Sequence, residues 1–141
     1  MTPKRSLRKS VTRSKSGDFA HVADSFYKGA GLAMEFEYWN AAGVLMIHAA
    51  IAFTDALTVK VGGVKSSGDD HMSAIDLLRE VVSLDERGRE AAGHLARMIN
   101  QKNLVSYSGE IYAKADVEKL WKHLERYRSW ALLLLGSKPL I

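Results

Sequence analysis

The chain has 141 residues, of which 47% are hydrophobic and 26% charged, with a formal net charge of +4. That size and balance fit one globular domain able to bury a real core. It contains no cysteine, which excludes disulfides, thiolate metal sites and thiol nucleophiles and fits a reducing cytoplasm.

The charge is unevenly spread. Lys4, Arg5, Arg8, Lys9, Arg13 and Lys15 all precede the first acid, Asp18, and the remainder is slightly acidic. Residues 1–17, rich in Ser, Thr, Lys and Arg with little to bury, read as a basic flexible arm. Two uses are open: a solubilising tail, or a tether to nucleic acid or another polyanion. No apolar h-region follows, so a cleaved targeting peptide is not expected. The folded body is expected over 18–141.

From Asp18 the pattern turns helical. Phe19, Val22, Ala23, Phe26 and Ala30 recur at spacings of three and four, one helix face, with Ser16 or Asp18 as a cap. Gly29 and Gly31 each cost about 1 kcal/mol against Ala in a helix interior, and their small size predicts close packing there. The next segment, "NAAGVLMIHAAIAFTDALTVKVGG", is the most apolar: from Ala41 to Phe53 only His48 is polar. A helix apolar all round is a central one. The apolar run is shorter than the ~20 residues a bilayer span needs, so no membrane span is expected. Gly62 and Gly63 end it, and "KSSGDD" is a loop.

"DDHMSAIDLLREVV" carries Met72, Ile75, Leu78 and Val82 on one face. "SLDERGREAAGHLARMINQKNLVSY" reads as one helix running to Tyr107, with Ala91, Leu95, Met98, Lys102 and Val105 in register, and Gly109 breaks it. "EIYAK" is a brief connection. The closing helix has Val117, Leu120, Trp121, Leu124, Tyr127 and Ala131 as its stripe and Gly136 as its stop. No alternating run is long enough for a sheet. The fold class is therefore all-α, an up-and-down bundle of about five helices. Strict alternation would bring the end of the second helix, the start of the third and the end of the fourth to one pole. Asp55, Asp70, His71, Lys102 and Tyr107 would then share a neighbourhood.

Each polar residue has a plain reading beside a functional one. Lys102 interrupts an apolar stripe: its stem can cover apolar surface while the ammonium reaches water, or the charge can point into a groove or subunit interface, toward phosphate or Asp55. Tyr107 suits a boundary packing position or an acid role. On one continuous helix it lies about 140° round from Lys102, so the two meet only if the last turn distorts or across a dimer. His48 reads as a satisfied core histidine. Asp69, Asp70 and His71 read as helix-start residues rather than metal ligands. No metal or nucleotide motif of the HExxH, Walker or GxGxxG kind is present. His123 and the Glu118–Lys122 pair read as a solvated face of the last helix.

Taken together, "WNAAGVLMIHAAIAFTDAL", "GDDHMSAIDLL", "QKNLVSY" and the long closing helix resemble the HEPN superfamily over about residues 18–136. The resemblance implies a small all-α bundle, dimerisation through helices including the fourth and last, and association with nucleotidyltransferase-type partner proteins or toxin–antitoxin systems. Active members are metal-independent ribonucleases with Arg, four to six residues, then His. Here the Arg position falls on Lys102, the following polar position on Asn103 and the His position on Tyr107. A Lys keeps positive charge but loses the bidentate fork, and a Tyr, with an unperturbed pKa near 10, is a poor proton carrier at pH 7. The expectation is a non-catalytic, cytoplasmic homodimer with no cofactor. It would bind a nucleotide, an RNA or a partner protein through Lys102, Asn103, Tyr107, His71 and Asp55. The alternatives are a ribonuclease using the substituted Lys102–Tyr107 pair with help from His71, or a structural adaptor.

Overall fold

The computed structural model describes residues 7–67 and 71–136. In chain order these form β1 (Arg8–Ser10), a 3-10 turn (Arg13–Lys15), α1 (Ser16–Glu35), α2 (Trp39–Gly62), β2 (Val64–Ser66), α3 (Met72–Val81), α4 (Glu86–Asn100), α5 (Lys102–Tyr107) and α6 (Lys114–Leu135). The protein is an all-α bundle of about five helices, to which the short α5 and a two-stranded ribbon are added.

The apolar second segment becomes the core. In α2, Met46, Ile47, Phe53, Ala56 and Leu57 are buried, with α1, α3, α4 and α6 packed around them. Each large side chain buried this way contributes about 1.5–3 kcal/mol. By length and composition alone α2 could cross a membrane, but 78% of its most apolar window is buried inside the molecule. Its end is set by Gly63, whose positive φ of 66° closes the last turn at little cost for a residue without Cβ. The turn from α1 into α2 uses a non-glycine in the same conformation: Glu37 has φ 61°. Tyr38 N–H bonds back to Ala33 O and Glu37 N–H to Met34 O, so the helix cap offsets a strain of about 1–2 kcal/mol.

Helix directions follow from the pairs in contact. Ser16 Oγ donates to Ala56 O at 3.0 Å and Gly29 faces Leu45, so α1 and α2 are antiparallel. α6 runs parallel to α2: Leu120 lies against Gly43, Tyr127 bonds Thr54 at 2.5 Å, and Lys60 Nζ donates to Leu135 O at 2.5 Å. Burial drives the Tyr127 phenol well above its usual range, so it stays protonated as a partner for Thr54. α4 is antiparallel to α6, with His94 on His123. α1 is clamped to α6 by Tyr27, which stacks on Trp121 at 5.0 Å and donates its O–H to Glu125. Arg128 lies 4.0 Å over the same Tyr27 ring and 3.6 Å from Asp24.

Several expectations need correction. Residues 8–15 are no loose arm: β1 pairs antiparallel with β2, Arg8 with Ser66 and Ser10 with Val64. Val11 N–H bonds Gly63 O, and Arg8 pairs with Glu80 at 2.6 Å. Three-residue strands are too short to show an alternating pattern. Lys4, Arg5, Asp69 and Asp70 lie outside the described residues. Gly29 and Gly31 meet only side chains, Leu45 and Trp121, at ordinary contact distances. The tight glycines are Gly43, where a Cβ would stand 2.9 Å from Val105 Cγ2, and Gly62, where it would stand 2.6 Å from Val81 Cγ1.

The largest correction concerns α3. Ser73 bonds Ser66 at 2.8 Å near its start, and Val81 at its end touches Gly62. Both ends therefore stay beside the end of α2, and α3 does not cross the bundle. α4 consequently begins at that pole and finishes at the opposite one, beside the start of α2.

Candidate functional site

The stretch expected to finish the fourth helix is a separate element. The chain breaks at Gln101, with φ −93° and ψ −3°, and restarts as α5. Asn40, at the start of α2, fixes the new direction. Its Nδ2 donates to Val105 O at 3.0 Å and to Glu110 O at 2.9 Å, while its Oδ1 accepts from Tyr112 N–H at 2.9 Å. The Tyr112 hydroxyl in turn donates to Gln101 Oε1 at 2.7 Å. Val105 drops onto Gly43, where only hydrogen leaves room for it.

The break precedes both Lys102 and Tyr107, which are the first and last residues of α5, so the two meet through the reach of the lysine side chain rather than through a bent helix. The Lys102 ammonium lies 5.6 Å from the centroid of the Tyr107 ring, within cation–π range. Tyr107 is 77% exposed, so its ring is wet rather than packed. His48 of α2 lies 5.9 Å from the Phe26 ring and feels the Lys102 charge. Burial and then the Lys102 charge lower its pKa, which keeps it neutral near pH 7. Asn103 is exposed on the same short helix. Phe36 and Tyr38, stacked at 6.2 Å, stand exposed on the neighbouring turn, as do Leu104 and Ile111. The pole therefore offers several wet aromatic rings and the cations Lys102 and Lys114, with Glu35, Glu37 and Glu110 also exposed there.

Two residues expected there are elsewhere. Asp55 lies seven residues past His48 on α2, about 10 Å further along the axis. Its partner is Lys65 of β2, at 3.8 Å, and not Lys102. Burial raises its carboxyl to about 6, against the pull of Lys65 and Lys9. His71 stands just before α3, on the ribbon side of the molecule. The expected cluster thus divides: Lys102, Asn103 and Tyr107 at one pole, Asp55 and His71 at the other.

A third polar grouping lies between α4 and α6. His94 Nδ1 and His123 Nδ1 are 2.8 Å apart, so His123 is not on a solvated face. They sit beside a cleft of about 480 Å³ whose lining includes Arg87, His94, Arg126 and Trp130. Burial, reinforced by neighbouring positive side chains, lowers both imidazole pKa values. Nothing in the sequence marked this pair, because the two histidines lie 29 positions apart on different helices. Asn40 was missed for a similar reason: it reads as an ordinary helix-start residue until its partners are known. Among the described residues no group of three or more His, Asp or Glu is placed to hold a metal ion.

No family model matches the chain, and no match to a curated protein or to a solved structure reaches significance.

Proposed function

We propose that the protein is a non-catalytic, HEPN-like helical bundle that forms a homodimer and binds a nucleotide or an RNA at the α5 pole. The observation that carries this reading is the Lys102 ammonium beside the exposed ring of Tyr107. A base stacks on such a ring whatever its identity, for about 1–3 kcal/mol per base, and a cation next to it takes the phosphate. Phe36 and Tyr38 extend the stacking surface. The reading is non-catalytic because the two positions that would carry an Arg and a His hold a Lys and a Tyr. The His48 imidazole is partly buried against Phe26 rather than presented. Dimerisation is supported by α6, which leaves Leu133 71% exposed and Leu134 open at its end, more apolar surface than one helix face buries.

Fluorescence anisotropy of a labelled RNA oligonucleotide against the full chain tests the binding. Tyr107→Ala should weaken it about tenfold. Lys102→Ala should weaken it and lower the salt slope by about one. Saturable binding indifferent to both changes, or no binding at low salt, removes the proposal. Metal-free RNA cleavage abolished by Lys102→Ala or Tyr107→Phe would put a ribonuclease in its place. Light scattering reporting only a 15.6 kDa species would remove the dimer.

A further inference from the structure

The cleft between α4 and α6 plays no part in the binding proposed at the α5 pole, although its Leu133 also belongs to the surface offered above for dimerisation, and its lining has a chemistry of its own. Its volume of about 480 Å³ falls in the range of small-molecule sites. Arg87 and Arg126 bring two guanidinium groups to it. Among the described residues neither lies within ion-pair distance of a carboxylate, although Glu90 and Glu125 line the same cleft. Glu125 is engaged instead by the Tyr27 hydroxyl. The two forks are therefore left for an outside acceptor, and a planar oxyanion is what guanidinium geometry matches. Trp130 and the exposed Leu133 form an apolar wall on the α6 side.

His94 adds a proton-linked contact. Its Nδ1 is taken by His123 Nδ1 at 2.8 Å, so Nε2 is the nitrogen left for the cleft. A hydrogen bond between two ring nitrogens holds one proton, which fixes the two rings in complementary tautomers. The ring orientation of His94 is thereby set before any ligand arrives.

We propose that this cleft binds a small planar molecule bearing an oxyanion, with its ring against Trp130 and Leu133, its anionic group between Arg87 and Arg126, and His94 as a hydrogen-bonding partner. An anion arriving there makes the charged imidazole more favourable and opposes the effect of Arg97 and Arg126, which together with burial lower the His94 pKa. Glu90 already acts in the same direction as the anion. Affinity for the oxyanion then rises as pH falls through the His94 titration.

The test is an NMR titration of the full chain with four probes: adenosine monophosphate, adenosine, inorganic phosphate and benzoate. The expected result is saturable perturbation of the Trp130 indole N–H and the His94 ring by adenosine monophosphate, benzoate or both. Adenosine and inorganic phosphate should bind at least about tenfold more weakly than the better of these. At saturation the His94 pKa should rise by about half a unit or more. Arg87→Ser with Arg126→Ser should weaken the perturbation at Trp130 and His94 about tenfold or more. Perturbations centred on Tyr107 rather than Trp130 would assign the ligand to the α5 pole and overturn the proposal. So would affinity indifferent to both arginine changes. If the arginine changes alter only self-association and no probe binds, the cleft is an interface between copies and the proposal falls, while the reading at the α5 pole stands.

Discussion

Asp55 is 9% exposed and has Lys65 at 3.8 Å, yet burial pushes its carboxyl up to about 6, above the ordinary 3.8. Desolvation outweighs the lysines because the ribbon carrying Lys9 and Lys65 leaves their ammonium groups partly in water. The sign of the linkage follows. The native state binds the proton more readily than the unfolded chain, so this residue destabilises the fold at neutral pH. The penalty is full above about pH 6 and fades as pH falls toward 3.8. At about 1.4 kcal/mol per unit the span is about 3 kcal/mol at most. Asp55→Asn carries no such titration. Urea unfolding at pH 7 and pH 4 should show the variant gaining about 2–3 kcal/mol relative to the native chain at the higher pH. Parallel behaviour at the two pH values would show that the carboxyl is hydrated in solution. Periodicity pointed Asp55 toward Lys102, and its true neighbours Lys9 and Lys65 were hidden because they belong to strands of three residues each.

At the scale of the element, α5 owes its direction to contacts rather than to its own residues. Six residues make a marginal helix in isolation, and neither Gly nor Pro marks the break at Gln101. Periodicity alone placed Ala91, Leu95, Met98 and Val105 on the buried face, and all four are buried. It could not show that Val105 reaches the core by a new helix seated on Gly43. Asn40 and Gly43 therefore decide whether the candidate site exists. Asn40→Ala leaves Val105 O, Glu110 O and Tyr112 N–H without their partner, a loss of about 1–3 kcal/mol. Gly43→Ala places a methyl 2.9 Å from Val105 Cγ2, an overpacking of similar cost. Each should speed hydrogen exchange of the amides over 102–108 ahead of those in α2, and weaken RNA binding without touching Lys102 or Tyr107. Unchanged exchange in α5 would mean that the short helix is held by something other than this pair of contacts.

Across the whole molecule, the central place of α2 and the five-helix count were legible because burial on every side leaves a continuous apolar run. The division of the polar residues between two poles was not. Short links make successive helices neighbours, but they do not oblige each one to span the bundle. Ten residues of α3 rise about 15 Å, whereas the 24 of α2 rise about 36 Å. An element that short can turn back where it started, and this reverses the pole at which everything after it arrives. The consequence is energetic as well as geometric. Asn40 and Asp55 lie fifteen positions apart on one helix, about 22 Å along its axis, and share no hydrogen-bond or ion-pair partner among the described residues. Separate sites of this kind combine additively to within about 0.5 kcal/mol, whereas members of one polar network couple by about 0.5–3 kcal/mol. A double-mutant cycle with Asn40→Ala and Asp55→Asn, read by urea unfolding at neutral pH, should therefore close with an interaction term below about 0.5 kcal/mol. A coupling well above that would mean that the α5 pole and the ribbon pole respond to each other through α2, and the two would have to be treated as one site.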